Sequence, residues 1–318
     1  MNKVAVTGGA GFVGSNLVRG LLEHGFDVVV IDDFSTGLQS NLRKLDCVVR
    51  ELSITDPKLT AKALKDCSTI FHLAARGSVP RSIRNPRATF DVNVEGTINV
   101  LESARDIGAK FIFSSSSSVY GANMSLPKDE EMFTAPLTPY AASKLAGEGL
   151  VQSYSSSYGI QAICFRFFNI FGPAQRPDHD YAAVIPKWIW KLMHSEEIEV
   201  FGDGNQSRDF TYVDTVVETL LYGMKSNMNH PRPINLAFGS TITLNDTIMK
   251  LRRHFSNAKV NYLADRQGDV KYSENNPAKV KSMFPSISPV SFDEGLNRTI
   301  EWFKKYGATI ANGPKVLD

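Results

Sequence analysis

Two patterns in this chain set reactive groups at spacings that could do chemistry. Gly8, Gly11 and Gly14 read G-x-x-G-x-x-G between a short apolar run and a segment of helical spacing. Glycines there let the backbone turn tightly, approach a pyrophosphate and pack the helix on the sheet, and free N–H groups at the helix start meet the phosphate charge. Asp32 follows 18 residues beyond Gly14, where a carboxylate accepts hydrogen bonds from the adenosine ribose hydroxyls and repels a 2′-phosphate. Asp33 adds to that repulsion and no Arg follows directly, so NAD is favoured over NADP. Tyr140 and Lys144 then form Y-x-x-x-K at the start of a predicted helix. A spacing of four puts both on one face. A nearby ammonium, helped by a positive nicotinamide ring, would stabilise the phenolate and make a general base near neutral pH.

The elements that must hold these groups alternate. Val4-Ala5-Val6 reads as a buried strand, and Val13, Leu17, Val18, Leu21 and Leu22 recur at helical spacing before Gly25. Asp27 to Ile31 is a second β-branched run, which makes a right-handed βαβ unit. Thr69 to Leu73, Phe111 to Phe113 and Ala162 to Phe165 continue as strands, with helical periodicity over Val92 to Ile107 and Ala141 to Tyr158. This is the pattern of an α/β, doubly wound parallel sheet. After Asn169 the chain loosens into Pro-, Gly- and Asp-rich connections. The expected division is therefore a cofactor domain over 1–168 and a smaller α/β substrate domain over 169–318. Because Pro233 to Ala237 looks like another buried strand, the first domain is expected to return over about 213–247.

Composition narrows the class. With 35 Lys and Arg against 33 Asp and Glu over 318 residues, the charge gives no reason to expect nucleic-acid or membrane-surface binding. Cys47, Cys67 and Cys164 fit neither a disulfide framework nor a zinc pattern, and the six histidines show no metal spacing. Reduced thiols, no apolar run of ~18 residues and an N-terminal stretch soon broken by glycines point to a cytoplasmic protein without a metal.

The chain resembles the extended short-chain dehydrogenase/reductases, specifically the NAD-dependent nucleotide-sugar epimerases and dehydratases. The likeness rests on the glycine turn, Asp32, His72-Leu73-Ala74-Ala75, Asn93, Ser114 to Gly121 and Tyr140/Lys144. It continues through Arg166-Phe167-Phe168-Asn169, Arg208-Asp209-Phe210 and Arg266-Gln267-Gly268-Asp269. Related dehydratases carry Thr-Asp-Glu before Val-Tyr-Gly, and decarboxylases typically a Glu there. This chain has Ser116-Ser117-Ser118-Val119-Tyr120-Gly121, which leaves 4-epimerisation of a UDP-hexose.

The resemblance implies a redox-neutral cycle in which Tyr140 takes the O4 proton, Ser116 relays it, and C4 gives its hydride to NAD and receives it back on the opposite face. Lys144 holds the nicotinamide ribose. It further assigns to NAD Gly8, Gly11, Phe12, Val13, Gly14, Asp32, Asp33, Thr36, Gly37, Ile54, Leu73, Ala74, Ala75, Asn93 and Phe167 besides Tyr140 and Lys144. To the UDP-sugar it assigns Gly77, Ser78, Ser116, Asn169, Gln175, Ala183, Val184, Lys187, Phe201, Arg208, Arg266, Asp269 and Ser273. Small Ser273 resembles the residue of enzymes that admit an N-acetyl group, so UDP-GlcNAc/UDP-GalNAc is the expected pair and UDP-glucose/UDP-galactose the secondary one.

Two positions depart from the pattern: Ser53 stands where many relatives place an adenine-side Asp, and Gly77 where some galactose epimerases carry a Lys. His72 reads as structural. A UDP-glucuronate 4-epimerase stays open because Arg81 lies nearby, as do dehydratase or decarboxylase activity and, least, a non-catalytic NAD sensor. The resemblance also implies a homodimer through a four-helix bundle of the segments Val92–Ile107 and Ala141–Tyr158.

Overall fold

The computed structural model describes residues 3–177, 182–264 and 272–311, with side chains to 307. The strands β1 (Lys3–Thr7), β2 (Asp27–Asp32), β3 (Val48–Glu51), β4 (Thr69–His72), β5 (Lys110–Ser116) and β6 (Ala162–Phe167) follow in chain order. The next three, β7 (Asn169–Phe171), β8 (Ile198–Phe201) and β9 (Ser207–Tyr212), leave the sheet. β10 (His230–Leu236) returns to it, and β11 (Thr241–Thr243), β12 (Val260–Leu263) and β13 (Tyr272–Ser273) complete the smaller lobe. The main sheet has seven strands in the order β10-β6-β5-β4-β1-β2-β3, every neighbouring pair parallel. The order reverses direction between β1 and β4. A crevice therefore opens at their carboxyl ends, the place where such sheets bind ligands.

Alternation along the strands divides the apolar core. Val4, Val6, Val28, Val30, Phe71 and Ile112 share one cluster with Leu17, Leu21, Val213 and Leu220. Ala5, Val29, Ile31, Ile70, Phe111 and Phe113 share another with Val100, Leu101, Ala104 and Val151. The helices Phe12–Glu23 and Val213–Lys225 thus cover one face and Gly96–Ile107 and Pro139–Tyr158 the other, as a period of two requires. Burial on both faces explains why β1, β4 and β5 read as continuous apolar runs.

Three local results differ from the sequence expectation. Helical periodicity began at Val92, but Asp91–Glu95 forms a π-turn and the α-helix starts at Gly96. Within that turn Asn93 is buried and spends its side chain on two distant groups, described below. The Pro139–Tyr158 helix begins two residues earlier than the periodicity, because Thr138 accepts the Ala141 N–H and Pro139 opens the first turn. The serine run is also part of a strand: β5 continues through Ser116.

The smaller lobe is built around β9. β7 and β13 pair with it in parallel and β11 antiparallel, while β8 and β12 make a separate parallel pair. One apolar cluster runs without a break from β1 into Phe171, Phe210, Trp188 and Phe292 of this lobe.

Candidate active site

The glycine turn closes on the loop after β4. Gly8 has φ +71°, and a Cβ on it would lie 2.7 Å from the Ala74 nitrogen. A Cβ on Gly14 would lie 2.1 Å from the Gly8 carbonyl oxygen, so the helix can seat on the strand only without a side chain there. At Gly11 the sole near neighbour of such a Cβ is Gly8 O, at 3.2 Å, which leaves that side open to an approaching group. Among the described residues no side chain caps the Phe12–Glu23 helix, and its first turn carries no acid. The uncapped amides beginning at Phe12 and Val13 suit a diphosphate. Together these features fit a dinucleotide.

Asp32 is buried, and both its oxygens accept backbone N–H groups: Oδ2 from Ala10 at 2.9 Å and Oδ1 from Phe34 at 2.9 Å. Burial pushes its carboxyl up, and the two amide bonds oppose that. Asp32 therefore also clamps the end of β2 to the glycine turn, a role the sequence reading did not include. Buried Gly37 lies against Ala10 and Asp32. Asp33 binds the amide and hydroxyl of Ser35, and Thr36 is exposed. Ile54 is buried against Gly96. Leu73 N donates to Thr7 O at 3.1 Å, and Ala74 and Ala75 are partly buried in the following loop.

His72 lies under this loop. Thr97 Oγ1 donates to Asn93 O, so it accepts from His72 Nε2 at 2.9 Å, and Thr7 Oγ1 donates to Nδ1 at 2.7 Å. Burial brings its pKa down to about 3, with the Lys144 charge adding to the effect. A neutral imidazole with both nitrogens engaged holds β1, β4 and the helix of Thr97 together.

Tyr140, Lys144 and Ser116 converge beside it. Tyr140 is half-buried beside Ser116, whose hydroxyl donates to Ser118 Oγ at 3.1 Å; burial pushes the phenol's pKa up and the nearby Ser116 hydroxyl opposes the shift. The lowering expected from an adjacent ammonium is thus not the dominant effect here. Lys144 Nζ donates to Ser114 O at 2.7 Å and lies 5.2 Å from the Phe113 ring centroid. Burial takes this ammonium down to about 8, against the opposing charge of the Glu148 carboxylate. Asn93 ties the region together, accepting from Arg76 N at 2.8 Å and donating to Ser143 Oγ at 2.9 Å. Phe167 sits opposite Ser116 in the β5–β6 register.

The residues expected at the nucleotide-sugar lie partly in the second lobe. Asn169 Nδ2 reaches Asp209 O at 3.3 Å and Ser273 Oγ at 3.4 Å, and Ser273 stands beside Arg208 in the β9–β13 register. Arg208 Nη1 donates to Ser207 O at 2.8 Å. Gln175 Nε2 donates to Ile170 O, and its buried Oε1 has no hydrogen-bond partner among the described residues. Ala183 and Val184 open the helix Val184–Met193, Lys187 lies 3.8 Å from Glu199, and Phe201 ends β8. Ser78 caps the short helix Val79–Arg84 by accepting from Arg81 N at 3.3 Å, and Gly77 faces open space. Arg266 and Asp269 lie outside the described residues.

Sequence reasoning gave no role to the buried polar groups behind the site. Glu148 and Arg166 form a bidentate pair, and Tyr120, Asn235, Asn275 and Asp209 continue as a hydrogen-bonded chain. For Glu148 a signal was present, since it follows Lys144 by four as Lys144 follows Tyr140. Among the described residues no cluster could hold a metal ion, and no helix is long and apolar enough to cross a membrane.

Comparison with known proteins agrees with this geometry. Residues 4–237 match the model of the NAD dependent epimerase/dehydratase family. The chain is similar to UDP-N-acetylglucosamine 4-epimerase from Methanobrevibacter ruminantium, solved with UDP-N-acetylmuramic acid (TM-score 0.90, 35% identity, 95% of this chain and 98% of that one). It is similar to UDP-glucose 4-epimerase from Thermotoga maritima with UDP-glucose (TM-score 0.89, 34% identity, 95% and 99%). UDP-glucuronic acid 4-epimerase from Bacillus cereus, solved with UDP-glucuronic acid and NAD, gives a TM-score of 0.87 at 30% identity over 95% and 99%. A match over most of the chain, joined to a glycine turn shaped for a dinucleotide, settles the family: the chain belongs to the NAD-dependent epimerases/dehydratases, with NAD as its cofactor.

Proposed function

We propose that this enzyme is a UDP-hexose 4-epimerase that interconverts UDP-GlcNAc and UDP-GalNAc, with UDP-glucose and UDP-galactose as a secondary pair. The observation that carries the reading is the convergence of Ser116, Tyr140 and Lys144, with no carboxylate in the segment Ser116 to Gly121. Elimination or decarboxylation would need a further acid or base there. The similar proteins that act on UDP-GlcNAc, UDP-glucose and UDP-glucuronate support the 4-epimerase class.

The glycine turn, Asp32 and the Leu73–Ala75 loop would hold NAD, which supplies a hydride acceptor and donor at the sugar's C4. Tyr140 takes the O4 proton through Ser116 and later gives it back. Lys144, fixed by Ser114 O, keeps a positive charge close by and orients the cofactor ribose. Asn169, Arg208, Arg266 and Asp269 are the groups proposed for the UDP end, with guanidinium–phosphate pairing the reason for arginine. Ser273 leaves room beside Asn169 for an acetamido group.

A UDP-glucuronate 4-epimerase is the second reading, favoured by the likeness to the Bacillus cereus enzyme. A homodimer through the helices Gly96–Ile107 and Pro139–Tyr158 belongs to the same proposal. These helices already lie side by side, with Tyr154 Oη donating to Glu102 Oε1 at 2.6 Å, and they expose Ile107 and Tyr158.

The test is a panel of UDP-sugars incubated with the purified protein and separated afterwards. The expected product has unchanged mass and inverted C4, with the N-acetylated pair converted fastest. Loss of water or carbon dioxide would overturn the reading. Tyr140→Phe is expected to retain NAD and lose at least ~100-fold in rate.

A further inference from the structure

Tyr140, Lys144 and Glu148 are spaced by four and so lie along one side of the helix. Each meets a different one of three consecutive residues of β5. The Tyr140 phenol lies beside Ser116, Lys144 Nζ donates to Ser114 O at 2.7 Å, and Ser115 Oγ donates to Glu148 Oε1 at 2.5 Å. Arg166 on β6 occupies the rest of the carboxylate, with Nε 2.8 Å from Oε1 and Nη2 2.8 Å from Oε2. The Arg166 and Glu148 side chains are 4% and 2% exposed. Desolvation makes such a pair a weak source of stability. What the two-point fork supplies is direction, because it fixes where the carboxylate oxygens lie.

The pair also bears on charge. The titratable groups around Lys144 are Tyr140 and Glu148 on its own helix, His72 on β4, and Cys164 and Arg166 on β6. Buried His72 is neutral near pH 7, and burial raises the Cys164 thiol so far that it too is neutral. Arg166 is a permanent cation. Glu148 is therefore the anion that favours a charged Lys144 against its burial.

We propose that Glu148 is a positioning residue for the 4-epimerisation: bound to Ser115 and Arg166, it holds Tyr140 and Lys144 in register with Ser114–Ser116 and keeps the Lys144 ammonium charged. This rests on the functional reading above. Arg166 over the Tyr120 ring, 4.7 Å from its centroid, completes the support from β6.

The test compares pH profiles of kcat and KM for the NAD-loaded enzyme, its Tyr140→Phe variant and variants of the pair. Glu148→Gln leaves the buried guanidinium without its anion and is the variant at risk of not folding. The double variant Glu148→Gln/Arg166→Met removes both charges and avoids that risk. In Glu148→Gln the alkaline limb of kcat is expected to move at least ~1 pH unit lower, with kcat down at least about fivefold at pH 8 and KM within about twofold. In the double variant, which loses a cation with the anion, kcat is expected to fall several-fold at constant KM. Ser115→Ala keeps the ion pair and is expected to lower kcat several-fold at constant KM. It decides the matter should neither Glu148 variant fold. An unmoved limb in a folded Glu148→Gln, unchanged kcat in a folded double variant, or unchanged kcat in Ser115→Ala when it must decide, overturns the inference. Near wild-type turnover of Tyr140→Phe would instead remove the catalytic reading beneath it.

Discussion

The carboxyl end of the parallel sheet and the lobe around β9 build their polar groups in opposite ways. In the sheet, short contiguous runs supply them: the glycine turn, Ser114 to Ser116, and one helix face carrying Tyr140 and Lys144. One buried titratable group there is His72, neutral and satisfied by two threonines on neighbouring elements. Around β9 the corresponding group is Asp209, a buried carboxylate that accepts from three amides. They belong to Gly239 at 3.2 Å, Ser240 at 3.0 Å and Asn275 at 3.3 Å. One region is set by local repeats and the other by a hub joining distant segments. The two hubs also titrate in opposite senses, which makes the contrast measurable.

The largest expected effect is at the turn. Gly14→Ala places a Cβ 2.1 Å from a backbone oxygen, a clash no rotamer can relieve, so its cost should exceed the ~1–3 kcal/mol of ordinary overpacking. The purified variant is expected to carry little NAD and to melt earlier than wild type. Gly77→Ala, where a Cβ meets nothing within 4 Å, should change neither. Full NAD content in Gly14→Ala would show that the local turn is less demanding than its geometry says.

His72 comes next. Its native pKa of about 3 lies below the ordinary 6.5, so between those values the unfolded chain holds more protons. Its contribution is complete above pH 6.5 and is lost as the pH falls toward 3, about 5 kcal/mol over the window. Asp209 does the reverse. Burial raises its carboxyl from 3.8 to about 6, against the three amide bonds. The native state then holds the proton longer, and the contribution present below pH 3.8 is lost as the pH rises through 6, about 3 kcal/mol. Urea unfolding from pH 4 to 7 should show stability rising less steeply with pH in His72→Gln than in wild type, and more steeply in Asp209→Asn. Identical slopes in all three proteins would erase the contrast between the two lobes.

What the sequence showed and hid follows the same division. The parallel strands, the glycine turn and the Tyr140/Lys144 face could be read because their signal lies within a few residues of itself. β13 could not, being two residues long and placed by its pairing with Ser207 and Arg208. Asp32 was read for its outward chemistry, whereas its two bonds to Ala10 and Phe34 depend on the turn having formed. Glu148 and Arg166 are 18 residues apart in sequence, and only the packing of the helix on β5 and β6 reveals them as a pair. Asn93 looked like part of a continuous helix. Its contacts with Arg76 and Ser143 lie in a π-turn that apolar periodicity does not report.

The smallest effect expected is also the most selective, and it lies in the second lobe. Ser273 is half-buried beside Asn169, whose amide reaches its hydroxyl at 3.4 Å. Its two-residue strand aligns it with Arg208, so a larger side chain cannot slide away along the chain without breaking that pairing. If the acetamido group of the substrate occupies the space next to Ser273, a phenol ring there would compete with it for volume. Overpacking of that kind costs ~1–3 kcal/mol, or about a 5- to 150-fold loss in kcat/KM. Ser273→Tyr should therefore suppress turnover of the UDP-GlcNAc/UDP-GalNAc pair by that factor and leave UDP-glucose/UDP-galactose nearly unchanged. Because the Asn169 contact is lost in either case, a uniform fall for both pairs would mean that Ser273 acts by holding Asn169 rather than by leaving room. Ser273→Ala separates these causes: it keeps the space and removes the hydroxyl, so the N-acetylated preference should survive it.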